Sequence, residues 1–197
     1  TTDSAKELPA HPARPPRPIL IDPRRMPRRS PNSAQGKIAL LHAIAHIEFN
    51  AIDLAADLIA RFANDARIPS PRRTEFIGDW AAICAEEASH FAAIAERLGE
   101  LGAAYGDLPA HDGLWAAAED TSHDLLARLA IVPLVFEARG LDVTPAMIQK
   151  FEVARDFESA VLLTKIYNDE IGHVAAGQRW FGSICRSEGR DEAELFA

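Results

Sequence analysis

The chain has 197 residues, 48% hydrophobic, 25% charged and only 7% aromatic, and carries a net charge of −8. It holds enough apolar sequence for one sizeable core and no unbroken apolar run near the ~20 residues that cross a bilayer, which predicts a cytoplasmic protein with no membrane partner. Its acidity argues against general nucleic-acid binding, and the shortage of alternating Val/Ile/Thr stretches with hairpin turns argues against sheets.

Cys84 and Cys185 make neither a disulfide framework nor a Cys-x-x-Cys pair, which suits a reducing compartment. The sequence opens on Thr1 without a secretory apolar core and reads as a trimmed chain. Residues 1–35 carry seven Lys/Arg (Lys6, Arg14, Arg17, Arg24, Arg25, Arg28, Arg29) against Asp3, Glu7 and Asp22. That is a net of +4, which leaves −12 for the remainder. With Pro12-Ala-Arg-Pro-Pro-Arg-Pro18 and Pro27-Arg-Arg-Ser-Pro31, this stretch cannot continue a helix and predicts an extended arm. Two uses of the arm stay open: draping on the acidic body, or helping to hold a polyanion such as tRNA.

Residues 36–197 then read as one helical domain. Ser33 caps a first helix over about 34–63, with Leu41, Ala45, Ile52, Ala55 and Ile59 as its apolar stripe and Glu48 at the centre of that stripe. Glutamate is rarely buried without a partner, so Glu48 is the anomaly. His46 on the same helix points to a different face and is placed next to the site rather than in it. After the break at Ile68-Pro-Ser-Pro-Arg72, a second helix over about 73–102 carries Glu87 and His90, three residues apart on one face. Glu48 lies about 15 residues before the end of the first helix and Glu87 about 14 after the start of the second. Both are ~21–22 Å from the shared turn at 1.5 Å per residue, so the two carboxylates meet at one level.

The Gly/Pro/His-bearing stretch from Tyr105 to Trp115 begins a long crossover through 103–121. A third helix restarts with Thr121 or Ser122 as cap, carries Glu137, and is expected to kink or open locally beside that carboxylate at Pro133. Gly140-Leu-Asp-Val-Thr-Pro145 is expected to interrupt it, with Thr144 capping a further segment to about Arg155. Asp156 caps the last helix, about 157–187, which bears Glu170 and His173. Trp80, Trp115 and Trp180 read as packing residues, His111 and His123 as structural. Cys84 reads as a small buried hydrophobe. Tyr167 reads as a core tyrosine or as a phenol beside the site.

Together the helices supply Glu48, Glu87, His90, Glu137, Glu170 and His173: four carboxylates and two imidazoles. Hard carboxylate oxygens suit divalent cations, and four Glu neutralise two M²⁺ ions inside an apolar interior. Asp169 is placed to accept a hydrogen bond from His90 across the bundle and so to fix its tautomer. One Glu from each of two helices and Glu-x-x-His from each of two others is the ligand set of ferritin-like dimetal proteins.

The order Glu, Glu-x-x-His, Glu, Glu-x-x-His resembles the ferritin-like superfamily. The segments Leu41-His-Ala-Ile-Ala-His-Ile-Glu48, Gly106-Asp-Leu-Pro-Ala-His-Asp-Gly-Leu-Trp115, Glu137-Ala-Arg-Gly-Leu-Asp-Val-Thr-Pro145 and Asp169-Glu-Ile-Gly-His173 resemble an uncharacterised bacterial domain family within it. The resemblance implies an all-α, ferritin-like four-helix bundle with a long crossover between its second and third helices. It implies two Fe ions, with Mn or mixed Mn/Fe on the same ligands, and an oxidoreductase that activates O₂ to oxidise or hydroxylate a small organic or nucleoside-like substrate. The electron donor is left open, and a homodimer is admissible. Two alternatives remain: iron handling of the ferroxidase type, and a bundle whose metals are only structural.

Overall fold

The computed structural model describes residues 8–26 and 31–196, so Lys6, Arg28 and Arg29 of the expected arm lie outside the described residues. The fold is all-helical: α1 (Ala34–Phe62), α2 (Arg73–Glu100), α3 (Gly113–Asp120), α4 (Leu125–Ile131), a π-helical turn (Val132–Glu137), α5 (Ala138–Val153), α6 (Phe157–Glu188) and α7 (Glu192–Phe196). Among the described residues there is no strand, only an isolated bridge between Leu20 and Ala110.

Local chemistry sets the helix starts. Ser33 Oγ accepts the Gly36 N–H at 3.1 Å, and Asp156 Oδ1 accepts the Ser159 N–H at 3.2 Å, each satisfying a donor that the first turn leaves unpaired. The third long helix starts later than the sequence suggests. Asp124, not Thr121 or Ser122, is its cap and accepts the Ala127 N–H at 2.8 Å, while Thr121 Oγ1 donates back to Ala117 O at 2.8 Å. Arg67 reaches Asp124 at 2.9 Å and fixes that corner.

The expected interruption at Gly140–Pro145 does not occur, because α5 runs through it with Pro145 inside. Pro145 is exposed, so the carbonyl it leaves without an N–H lies on the wet side of the helix. The departure from α geometry falls earlier, in the π-helical turn that begins one residue before Pro133 and ends on Glu137. Segments 125–153 therefore act as one long rod with a widened waist.

Two apolar clusters fill the interior. One joins Leu58 and Phe62 of α1, Phe76 and Trp80 of α2, Leu125 and Leu129 of α4, and Trp180 and Ile184 of α6. The other joins Leu41 and Ala45 of α1, Ile94 and Leu98 of α2, Phe151 of α5, and Leu163 of α6. Helices α1 and α6 run from the second cluster to the first, and α2 and the α4–α5 rod run the opposite way. The connection from α2 to α4 must then travel the length of the bundle, and α3 within it packs Trp115 and Ala118 against Leu54 and Val132.

Described residues of the arm cover this crossover. Arg14 pairs with Asp53 at 2.9 Å and Asn50 at 2.6 Å and lies over the rings of Phe49 and Trp115. Trp115 Nε1 donates to Ala10 O at 3.0 Å, and Ile21 N–H to Ala110 O at 2.9 Å. Gly106, at φ 102°, faces Arg17 so closely that a Cβ would sit 3.0 Å from the Arg17 Cβ.

By length and mean hydropathy α1 could cross a membrane, although, as the bare sequence indicates, it holds no long unbroken apolar run. In this fold 56% of that apolar window is buried, and its inward face carries His42, His46, Glu48 and Asn50.

One close approach sets the waist. A Cβ at Gly177 of α6 would lie 2.4 Å from Pro133 Cβ and 2.6 Å from its Cγ, so only glycine lets α6 pass the π-helical turn. Gly177→Ala is expected to lose about 1–3 kcal/mol from overpacking, a Tm loss on the order of 2–10 °C. Exposed Gly78 of α2 has no atom within 4 Å of its Cβ position, so Gly78→Ala should gain about 0.5–1 kcal/mol. Denaturant midpoints of the two variants check both signs, and equal effects would contradict the packing argument.

Candidate metal centre

Between the two apolar clusters, at the middle of four helices, lie Glu48, Glu87, His90, Glu137, Glu170 and His173. Glu48, Glu87, His90 and Glu170 each bring one donor atom within 4.8 Å of the others, and so do Glu137, Glu170 and His173. The two imidazole rings are 6.0 Å apart, centroid to centroid. The carboxylates divide their attention between them. Glu87 sets Oε2 3.4 Å from His90 Nδ1 and Oε1 3.0 Å from His173 Nδ1. Glu170 sets Oε1 3.9 Å from His90 Nδ1 and Oε2 3.3 Å from His173 Nδ1. Glu48 approaches His90 at 3.4 Å, and Glu137 groups with His173. Glu87 and Glu170 are thus disposed as bridges, with Glu48 and His90 on one side and Glu137 and His173 on the other.

Each imidazole is held from behind by an acid of the opposite helix. His90 Nε2 donates to Asp169 Oδ2 at 3.0 Å, and Lys165 steadies that carboxylate at 3.0 Å. His173 Nε2 donates to Glu86 Oε2 at 2.8 Å. With Nε2 carrying the proton, Nδ1 is the atom left to ligate. Glu86 escapes sequence reasoning, although a signal exists: the doublets Glu86-Glu87 and Asp169-Glu170 make both motifs acid-Glu-x-x-His. The first acid of each serves the histidine of the other.

The fit to cations rests on atoms that make no hydrogen bond. Glu48 Oε2, Glu87 Oε2, His90 Nδ1, Glu137 Oε2, Glu170 Oε2 and His173 Nδ1 are all buried and make no hydrogen bond. Orphaned buried polar atoms are rare and costly, and here one from every predicted ligand faces a common interior. Burial pushes Glu48 and Glu137 well above the usual carboxylate range and raises Glu170. Burial opposes ionisation of Glu87 too, but His173, His90 and Glu48 outweigh it and bring its pKa to about 2. Burial likewise opposes charge on the imidazoles, yet Glu48, Glu87 and Asp169 lift His90 to about 10, and Glu170 and Glu87 lift His173 to about 11. Without a metal the cluster keeps protons where cations would sit.

His46 does not belong to this group. Its Nε2 donates to His111 O at 3.1 Å and its Nδ1 accepts from Tyr105 OH at 2.8 Å, so it ties the crossover to α1; burial lowers its pKa to about 4 and keeps it neutral. Tyr167 is half-buried on α6 and makes none of the contacts of the cluster. Beside the cluster a cavity of about 310 Å³ opens between α1 and α5, walled mainly by apolar groups such as Ile44, Ala51, Leu54, Val132 and Met147. Glu48, Glu87, Glu137 and Glu170 line it, whereas His90 and His173 do not. The cavity therefore meets the centre from the side opposite the imidazoles.

Along its whole length, residues 1–197, the chain matches the family described as "Protein of unknown function (DUF455)". It belongs to that family. This DUF455 protein is also 43% identical, over 182 residues, to an uncharacterized protein of Haemophilus influenzae. The match covers 92% of this chain and 63% of the relative, so the chain spans less than two thirds of the relative's length. No solved structure matches it.

Metal binding through His90 and His173 must displace their protons. Since both pKa values lie above 7, loading at pH 7 should release at least two protons per metal pair, and binding should tighten as pH rises from 6 to 8. Calorimetry in buffers of different ionisation enthalpy reads this directly; metal uptake without proton release would contradict the site. Glu170→Ala, which removes a bridge, should bind less than one equivalent tightly, whereas Glu137→Ala should retain about one. Wild-type stoichiometry in either variant would refute the assignment.

Proposed function

We propose that this DUF455 protein is a ferritin-like dimetal carboxylate protein that acts as an oxidoreductase on a small organic substrate, with two iron ions as its native cofactor. The observation that carries the reading is the convergence, beside an apolar cavity, of six buried ligand atoms that make no hydrogen bond. The helix directions and the single long crossover support a ferritin-like four-helix bundle, whose dimetal members use this ligand set. Manganese, alone or with iron, suits the same donors.

In this reading Glu48, Glu87, His90, Glu137, Glu170 and His173 would hold the two ions. When bound, the metals supply O₂ activation and electron transfer. The chain does the rest. Asp169 and Glu86 hold the imidazole planes and keep their protons on Nε2. Four carboxylates neutralise the two divalent charges so that an apolar interior can hold them. Apolar walls keep bulk water from the reacting side and orient the substrate toward it.

The cavity favours this reading over iron storage and over a purely structural metal, neither of which needs an apolar chamber next to the ligands. Free Cys84 and Cys185 are in keeping with a reducing cytoplasm. Anaerobic loading with two equivalents of Fe²⁺ followed by O₂ tests it. Stoichiometric O₂ consumption with the appearance of oxidised-iron absorbance is expected. Stable iron without O₂ consumption would leave a structural site, and a many-subunit particle that mineralises iron would leave storage.

A further inference from the structure

The cavity also carries information about what enters it. Its rim holds Ile47 and Val143, which are 50% and 43% exposed, so the entrance between α1 and α5 is itself apolar. Apart from the cluster carboxylates, its polar lining comes from His46, His111, Arg139 and Thr144. His46 already spends both ring nitrogens on Tyr105 and His111. A nucleoside, with a base and a sugar to satisfy, would find few groups to bond.

Among the described arginines that make no ion pair, Arg139 is the one that lines this cavity. Arg14, Arg61, Arg67, Arg72, Arg97 and Arg128 are all paired with acids. Arg139 lines the cavity, is exposed, and makes no hydrogen bond or ion pair with any described residue. It lies two residues beyond Glu137, on the first turn of α5 after the π-helical turn. A guanidinium left unpaired at an apolar mouth is a ready bidentate partner for a carboxylate or phosphate. At about 30 Å³ per water-sized group, 310 Å³ holds on the order of ten non-hydrogen atoms.

Resting on the dimetal reading above, we propose that the ligand of the cavity is an amphiphilic anion of about this size. Its carboxylate or phosphate is held by Arg139 at the mouth, and its hydrocarbon body extends inward to the face formed by Glu48, Glu137 and the bridging carboxylates. The polar head then stays at the solvent edge, and the inner end of the chain is what the centre meets. Arg139 is in this account a specificity residue for the substrate class and has no part in metal binding.

Zinc-loaded protein tests this, since zinc fills the site without redox turnover. Isothermal titration with octanoate, octyl phosphate, 1-octanol and octylamine compares one hydrocarbon body with four heads. One or both anions should bind at least tenfold more tightly than octanol, and octylamine should be weakest; whichever anion is tighter identifies the head. Arg139→Gln should abolish the preference for anions and leave octanol binding unchanged, Arg139→Lys should keep part of it, and both should retain wild-type zinc stoichiometry. Ala51→Phe, which fills the chamber, should weaken all four probes. Equal binding of octanol and octanoate, an unchanged preference in Arg139→Gln, or no binding of any probe would overturn the proposal. Because no O₂ chemistry is read, an inert iron form with intact octanoate selectivity would contradict the oxidoreductase reading alone. If zinc fails to load, the metal reading fails, and the same titrations on the metal-free protein decide the cavity's ligand.

Discussion

Four carboxylates and two imidazoles sit at the waist of an apolar interior, and the fold is arranged around the cost of placing them there. Burial, helped by the neighbouring carboxylates, drives Glu48 and Glu137 toward the protonated form, and the negative charge around them holds His90 and His173 as imidazolium. Such a group persists where something compensates it, and six buried ligand atoms that make no hydrogen bond could be compensated by cations in place of protons. The apolar clusters above and below offer these atoms no polar partner.

The scaffold serves that constraint by exchange between helices. Asp169 of α6 orients the histidine of α2, and Glu86 of α2 orients the histidine of α6, so neither motif is complete without the other. Glu87 and Glu170 each face both rings, which makes the pair of motifs a single bridged unit. Glu137 ends the π-helical turn of the rod that carries it, and α6 can lie against that turn only because residue 177 has no side chain. The widening also helps to open the cavity: Val132, Phe136 and Glu137 of the turn are among its walls.

What was legible in the sequence followed from local spacing. Glu-x-x-His on a helix fixes two side chains on one face whatever the tertiary context, and Ser33 and Asp156 cap their helices through bonds to residues three positions on. Equal distances from helix ends placed Glu48 and Glu87 at one level for the same reason. Illegible features depend on partners distant in sequence. The packing of Gly177 on Pro133 joins residues 44 positions apart, His46 is claimed by Tyr105 and His111 of a crossover whose path no periodicity describes, and Glu86 is an ordinary helical acid until α6 is beside it. Gly140 and Pro145 look like a break because local propensity says so, yet packing against α6 carries α5 through them. Pro133 announced a disturbance but not its form, since a kink and a π-helical turn begin with the same residue.

A crystal grown from protein never exposed to chelator decides whether a bridged pair of metal sites lies on the floor of the apolar chamber. Anomalous scattering at the metal edges should reveal two ions about 3.5–4 Å apart, both bridged by Glu87 and Glu170, one bound by Glu48 and His90 and the other by Glu137 and His173. A centre that holds no metal, or a single ion that leaves Glu137 and His173 without a role, would contradict it.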